Sequence, residues 1–437
     1  MTRITRADPI ECDVAVIGGG PGGSTIAALL AKRGWRVEVI EKARHPRFHI
    51  GESLLPMNLP LLQTLGVKEQ IDSIGIPKHG AEFNAPEPGA VKTYYFKNAL
   101  DRSQPMAYQV KRADFDHILL KNCAAAGANV HEDTRVTGVN FTPAGASVDA
   151  IAADGSARQW KARYVVDASG RDTFLASRLR LKQRNSKHAS AAMFAHFSGA
   201  QRSPGIDEGN ISVYWFDFGW FWMIPLPNDT MSVGAVCTPE YLKSRQTDPT
   251  QFFLETIQLS PGVAERLRHA RLCSEVTATG NYSYQAKHMA GDGYLMVGDA
   301  FAFVDPVFSS GVLLAMNSAF LGAEVVDAQL KNRPDAAAQL RRYQKQVRHG
   351  VKTFSWFIYR VRTPAFRHLL LHPQNRFRVE EAMVSLLSGD IFGRTAVRPR
   401  LILFKGIYYA LSLYMLKASV SSYFSRRASR RAAASAA

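Results

Sequence analysis

At 437 residues the chain exceeds what a single hydrophobic core supports, so two or three domains are expected. Its 46% hydrophobic and 21% charged residues are those of a globular protein and exclude a disordered or collagen-like class. All of the formal charge of +17 falls after Leu330, where 21 Lys and Arg stand against four acids, so an acidic partner or surface is expected at that end alone, unless the segment is simply a solvated basic face.

The first residues, Met1 to Arg6, hold no apolar stretch, and no secretory signal is expected. Asp13-Val14-Ala15-Val16-Ile17 reads as an apolar strand running into Gly18-Gly19-Gly20-Pro21-Gly22-Gly23 and a helix of small residues. This is the pattern of a dinucleotide-binding turn. Gly18 lets the chain reverse, Gly20 lets the backbone approach a pyrophosphate, and Gly23 lets the helix pack close to the strand. A second strand, 36–40, ends at Glu41, where an acid meets a ribose hydroxyl. The loop from Glu41 to Pro56 is turn-rich, too polar for core, and is expected to lie over the cofactor. Helical spacing follows over 59–71, then a strand start over 78–83, then a helix over 112–127 closed by Gly127. Residues 129–164 alternate as strands and hairpins, closed by Val165-Val166-Asp167-Ala168-Ser169-Gly170. Strand-like runs over 191–236 carry Trp215, Trp220 and Trp222.

Near the end of the core a short strand reaches Gly298-Asp299, an acid suited to cofactor hydroxyls. A loop over 301–310 leads into an apolar helix over 311–330, whose first amides favour negative charge on a flavin ring or a small anion. Beyond it come basic helices. One, over 401–424, is interrupted by Lys405 and Lys417 and suits docking better than spanning a membrane, with Arg426, Arg427, Arg430 and Arg431 close behind. Cys12, Cys123, Cys237 and Cys273 are scattered, with neither a zinc pattern nor a disulfide framework, which points to reduced thiols in the cytoplasm.

Together, Gly18-x-Gly20-x-x-Gly23 with Glu41, Arg112 in Val110-Lys111-Arg112-Ala113-Asp114-Phe115-Asp116, and Gly298-Asp299 resemble the FAD-binding domain of the aromatic-hydroxylase flavoproteins. Three further elements resemble the flavin-dependent halogenase branch: Gly51-Glu52-Ser53-Leu54-Leu55-Pro56, Trp220-x-Trp222-x-Ile224-Pro225, and Phe303-x-x-Pro306-x-x-Ser309-x-Gly311. The resemblance covers roughly residues 10–330. It implies an α/β fold with a Rossmann-like FAD-binding domain, an inserted mixed β-sheet substrate domain and a C-terminal helical segment. FAD would be held by residues of about 10–75, 105–180 and 280–330, and the substrate-side sheet would come from about 76–104 and 181–279. Residues 331–437 would form the basic helical segment.

It also implies an activity in secondary-metabolite or antibiotic biosynthesis. Reduced FAD and O2 oxidise chloride or bromide to hypohalous acid, which a lysine delivers to an electron-rich carbon. Lys78 stands where that lysine belongs, and a partly desolvated amine suits the task because its pKa falls. Gly18, Gly20, Gly23, Glu41, Ser53, Arg112, Asp299 and Gly311 would hold the cofactor. Ser309, Ser310 and Gly311 would hold the halide. Trp220, Trp222, Ile224, Pro225, Phe303 and Pro306 would shape the site. Asp167-Ala168-Ser169-Gly170-Arg171-Asp172 departs from the Asp-Gly signature of single-component hydroxylases, and no second nucleotide motif follows. A separate flavin reductase is therefore expected. The chain is shorter than tryptophan halogenases and resembles the branch acting on phenols, pyrroles or acyl groups, some of them on acidic carrier proteins, which would suit the basic segment. A weak membrane-surface contact is the competing expectation for that segment, and nucleic acid is not expected. An FAD-dependent oxygenase or geranylgeranyl-reductase-like enzyme on an apolar substrate would keep the same cofactor site and give Lys78 no role. A non-catalytic flavoprotein would leave the motifs idle.

Overall fold

The apolar run that ends at Ile17 forms β1 (Ile10–Ile17), and the glycine loop turns it directly into α1 (Pro21–Ala31). Pro21 occupies the first helical position, where its missing amide costs no hydrogen bond. This computed structural model describes residues 8–85, 90–185, 190–280, 283–393 and 395–435, with side chains as far as Lys417. Met1 to Arg6 and the side chains of Arg426, Arg427, Arg430 and Arg431 lie outside the described residues.

β2 (Val37–Ile40) pairs parallel with β1. The polar loop after it is not excluded from the interior: Glu41, Glu52 and Ser53 are buried, with the Gly19 amide, His196 and Lys78 respectively as hydrogen-bond partners. The single helix expected over 59–71 is two, α2 (Asn58–Leu65) and α3 (Lys68–Ile74), because Gly66 at φ +82° ends the first. The strand expected over 78–83 is also divided. β3 (Ile76–Lys78) ends at Lys78, and β4 (Gly80–Asn84) begins after His79 in another sheet.

The chain continues through β5 (Val91–Tyr95), β6 (Ala107–Gln109), α4 (Arg112–Ala125), β7 (Asn129–His131), β8 (Thr134–Thr142), β9 (Gly145–Ala152), β10 (Ala157–Asp167), α5 (Phe174–Arg178) and β11 (Lys182–Arg184). β12 (Ala191–Ser198), β13 (Ile211–Phe216), β14 (Gly219–Leu226) and β15 (Thr230–Cys237) precede α6 (Pro239–Lys243), α7 (Pro249–Gln258) and α8 (Pro261–Arg266). Short strands follow: β16 (Arg271–Leu272), β17 (Thr277–Thr279), β18 (Tyr284–Ala286), β19 (Ala290–Gly291), β20 (Tyr294–Met296) and β21 (Ala302–Phe303). The chain ends in α9 (Gly311–Leu330), α10 (Ala336–Ile358), α11 (Pro364–Leu371), α12 (Val379–Ser388) and α13 (Val397–Ser435).

The first sheet runs β19-β20-β10-β1-β2-β7, parallel from β20 to β7, with β8 and β9 joined to β10. α1 packs against α4 and α9, as the parallel crossovers require. The second sheet runs β16-β12-β15-β14-β13-β4-β5 and is antiparallel except where β13 meets β4. β14 is buried on both faces, so the period of two sorts its residues: Trp220, Trp222 and Ile224 join the main core, while Phe221 and Met223 join a second core with α7 and α8. α9 is long and apolar enough to cross a membrane, but 61% of its apolar window is buried in the protein, which makes it a core helix.

Candidate active site

One large cavity, of about 510 Å³, opens between the two sheets and gathers most of the residues singled out from the sequence. Gly18, Gly20, Glu41, Ser53, Arg112, Asp299 and Gly311 line it, as do Ser309, Trp220, Trp222, Ile224, Phe303 and Pro306. Gly23, Lys78, Pro225 and Ser310 do not. Pro225 alternates to the opposite side of β14 from Trp222 and Ile224, so it shapes the strand rather than the cavity wall.

The three glycines are needed for three separate reasons. Gly18 has φ +101°, and a Cβ there would lie 2.5 Å from the Ala168 carbonyl oxygen. At Gly23 a Cβ would lie 1.9 Å from the Gly18 carbonyl oxygen, which is how closely α1 approaches the strand end. At Gly20 a Cβ would meet only the Arg47 guanidinium, at 3.8 Å, so this backbone faces open space beside a cation. A pyrophosphate fits that space.

Glu41 has its carboxylate tied to the loop: Oε2 accepts from the Gly19 amide at 2.6 Å and Oε1 from the Ala43 amide at 2.9 Å. It thereby shapes the glycine turn as well as facing the cavity. Arg112 donates to Asp116 at 2.7 and 3.0 Å and to the Ile50 carbonyl at 3.0 Å, fixing the loop that carries Gly51, Glu52 and Ser53. Arg47 shares Asp116 at 3.2 Å and lines the cavity. Burial alone would raise the Asp116 pKa; Arg112, then Arg47, outweighs it and holds the group below the usual range. Arg47 and Asp116 were not singled out from the sequence, although Arg112 and Asp116 stand four apart, the spacing of an ion pair on one helix face.

Asp299 faces the same space, and burial pushes its pKa up to about 7, against the pull of Arg171 and Arg112. A carboxyl poised near neutrality can donate or accept a hydrogen bond with a sugar hydroxyl. The loop beyond it ends in a turn, where Asp305 accepts from the Val307 amide at 3.3 Å and Ser309 takes φ +55°. Ser310 is buried at the start of α9 without a side-chain cap, so the first-turn amides of that helix are left for another acceptor. Nothing stands within 4 Å of a Cβ at Gly311. FAD fits this donor set: open glycine backbone beside Arg47 for the pyrophosphate, the acids Glu41 and Asp299 for sugar hydroxyls, and small residues with an uncapped helix start at Ser309 to Gly311.

Lys78 lies just outside the cavity wall, buried at the end of β3 and paired across to Ala107. Its Nζ donates to Ser53 Oγ at 2.9 Å and to the Leu54 carbonyl at 3.1 Å, and stands 5.2 Å from the centre of the Phe96 ring. Among the described residues no acid pairs with it. Desolvation therefore acts unopposed and lowers its pKa from 10.5 to about 7. On the other side of Ser53, Glu52 lines the cavity and pairs with His196 at 2.9 Å; its second oxygen has no partner among the described residues.

A family model described as FAD binding domain matches residues 11–353. The chain is 31% identical over 411 residues to the 1H-pyrrole-2-carbonyl-(peptidyl-carrier protein) chlorinase of Pseudomonas fluorescens, covering 87% of this chain and 90% of that protein. It is 33% identical over 376 residues to the flavin-dependent halogenase gsfI of Penicillium aethiopicum, covering 80% and 70%. Among solved structures, the myxobacterial chondrochloren halogenase CndH superposes with a TM-score of 0.77 at 32% identity, over 87% of this chain and 90% of that one. A flavoprotein/dehydrogenase of Cytophaga hutchinsonii superposes with a TM-score of 0.86 at 25% identity, over 93% and 100%. With a glycine turn, acids and helix start that suit FAD and with relatives of this likeness, the chain belongs to the flavin-dependent halogenases, oxidoreductase enzymes built on an FAD-binding domain.

Proposed function

We propose that this protein chlorinates or brominates an electron-rich aromatic ring, a pyrrole or phenol tethered to an acidic carrier protein, through Lys78. The observation that carries the reading is the burial of Lys78 one hydroxyl away from the cavity and, among the described residues, without an acid partner. Reduced FAD with O2 supplies, when bound, the two-electron oxidation that turns a halide into hypohalous acid. The residues of the chain do the rest. Ser309, Gly311 and the uncapped first turn of α9 favour the halide, while Ser310 is buried outside the cavity lining. Trp220, Trp222 and Ile224, with Phe303 and Pro306, keep that end apolar and hold water out.

Ser53 faces the cavity and accepts from Lys78, so it stands at the passage between oxidant and amine. Near pH 7 the amine is half neutral. The neutral amine can attack the halogen of hypohalous acid: an N–halogen bond forms, the halogen–oxygen bond breaks, and the hydroxide leaves with the amine proton as water. The aromatic carbon then takes the halogen, and the ring proton is lost as the amine is restored. The relative from Pseudomonas fluorescens is named for a carrier-bound pyrrole, and the basic C-terminal segment suits an acidic carrier. With no second nucleotide motif in the chain, reduced FAD is supplied by a separate reductase.

The test is incubation with FAD, NADH, a flavin reductase, bromide or chloride, and phenols and pyrroles both free and carrier-bound. Product that gains one halogen only when halide is present supports the reading. Oxygenated product formed without regard to halide would replace it with a monooxygenase.

A further inference from the structure

α13 buries one side and leaves the other bare. Leu401, Phe404 and Tyr408 are buried towards α11 and α12, with the Phe404 ring 5.6 Å from Phe357 and 5.7 Å from Phe366. At 100° per residue, Ile402, Leu413 and Tyr414 fall on the far arc, with Ile407 and Leu416 at its two edges. All five are exposed, Tyr414 to 70% and Leu416 to 62%. The stripe over 402–416 is about 21 Å long at 1.5 Å per residue. Exposed apolar side chains spread along that length mark an interaction surface.

Charge selects what covers it. The sequence has no acid after Asp390, while α13 carries eight Lys and Arg. Beside the stripe, Lys405 stands 4.8 Å and Arg360 4.3 Å from the centre of the Trp356 ring. Burial lowers the Lys405 pKa, and neighbouring Arg360 and Lys352 lower it further. Among the described residues none of these three cations has an ion pair. Tyr409 adds its hydroxyl, which accepts from Trp356 at 3.3 Å and Arg360 at 3.1 Å. A second copy of the helix would bring like charges together. An acidic protein would match the cations and leave the apolar arc without a partner. A surface of anionic lipid satisfies both, since cations reach phosphates while apolar side chains enter the headgroup boundary, where Trp and Tyr also concentrate.

We propose that α13 lies in the plane of an anionic membrane surface, its 402–416 arc buried at the headgroup boundary and its cations among the lipid phosphates. It lies on the membrane and does not cross it, because Lys405 and Lys417 interrupt the apolar run. This contact does not depend on which substrate the enzyme halogenates.

Flotation of the full chain with phosphatidylcholine vesicles, with and without phosphatidylglycerol, tests it. The parent is expected to partition at least about tenfold better onto the anionic vesicles and to be released by salt. Leu413→Glu with Leu416→Glu should lower that partition at least about tenfold while leaving FAD content and thermal unfolding unchanged, since both side chains point outward. Equal binding by this variant and the parent, or no preference for anionic vesicles, overturns the proposal. So does a dimer that the same substitutions convert to monomer, or loss of carrier-protein binding with vesicle binding intact.

Discussion

Lys78 meets the cofactor cavity through Ser53: its amine donates to the Ser53 hydroxyl at 2.9 Å, and Ser53, not Lys78, lines the cavity. The lysine is thus shielded from bulk water and one hydrogen bond from the space where an oxidant would form. Lys78→Ala should abolish carbon halogenation while FAD binding and oxygen consumption continue, because in the proposed route the amine acts after the oxidant is made. Lys78→Arg should not restore it, since guanidinium does not lose a proton. Ser53→Ala should reduce halogenation by about one to two orders of magnitude without abolishing it, as the amine keeps the Leu54 carbonyl as a partner. Product formed by Lys78→Ala at the parent rate would remove the lysine from the chemistry.

The same lysine should leave a mark on stability. Its folded-state pKa of about 7 lies below the unfolded value of 10.5, so between those pH values the unfolded chain binds more protons and stability rises with pH. Below pH 7 the charged amine is buried in full, at a cost of several kcal/mol, since each tenfold loss of proton affinity on folding corresponds to about 1.4 kcal/mol. Lys78→Met removes that cost and loses two hydrogen bonds. Its stability relative to the parent should therefore be most favourable near pH 6 and fall steadily towards pH 10, as measured by denaturant unfolding. A difference independent of pH would mean that the folded amine keeps its ordinary pKa, charged and well paired.

The glycines separate folding from binding. Gly20→Val should unfold at the parent temperature and fail to bind FAD in a fluorescence titration, because its side chain would project into the open space beside Arg47. Gly23→Ala should fail to fold or lose several kcal/mol, because its Cβ would lie 1.9 Å from the Gly18 carbonyl oxygen and backbone must move. Parent-like FAD affinity in Gly20→Val would place the pyrophosphate elsewhere.

These contrasts show which parts of the molecule can be read along the chain. β1, α1, β2 and α9 were legible because one local pattern specifies each: an apolar run, a glycine turn, or sustained helical hydrophobicity. The division at Gly66 was not, because the helical spacing continues across it. Nor was the break at His79, where β3 and β4 look like one strand until β6 and β13 claim them separately. The site divides in the same way. Trp220 and Trp222 announce themselves, and strand alternation then sets Pro225 on the opposite face. Arg47 and the Glu52–His196 pair stayed hidden: Glu52 and His196 are 144 residues apart, and an arginine in a polar loop looks solvated until Asp116 and the cavity meet it.

The last prediction concerns α10. Arg341, Arg342, Lys345 and Arg348 fall within one arc of that helix and are exposed, while Tyr343, Val347 and Gly350 turn inward. Four cations on one exposed face attract an acidic carrier over about one Debye length, roughly 10 Å at 0.1 M salt, and so accelerate encounter more than they strengthen the final complex. Reversing all four to Glu should raise KM for a carrier-bound substrate about tenfold or more at low salt, with kcat nearly unchanged. The effect should shrink as salt rises, because the parent loses its attraction and the variant its repulsion. A free phenol or pyrrole should be turned over equally by both, which separates docking from damage to the site. Unchanged KM for the carrier-bound substrate at low salt would leave these arginines and lysines as a solvated face and move the docking surface elsewhere on the protein.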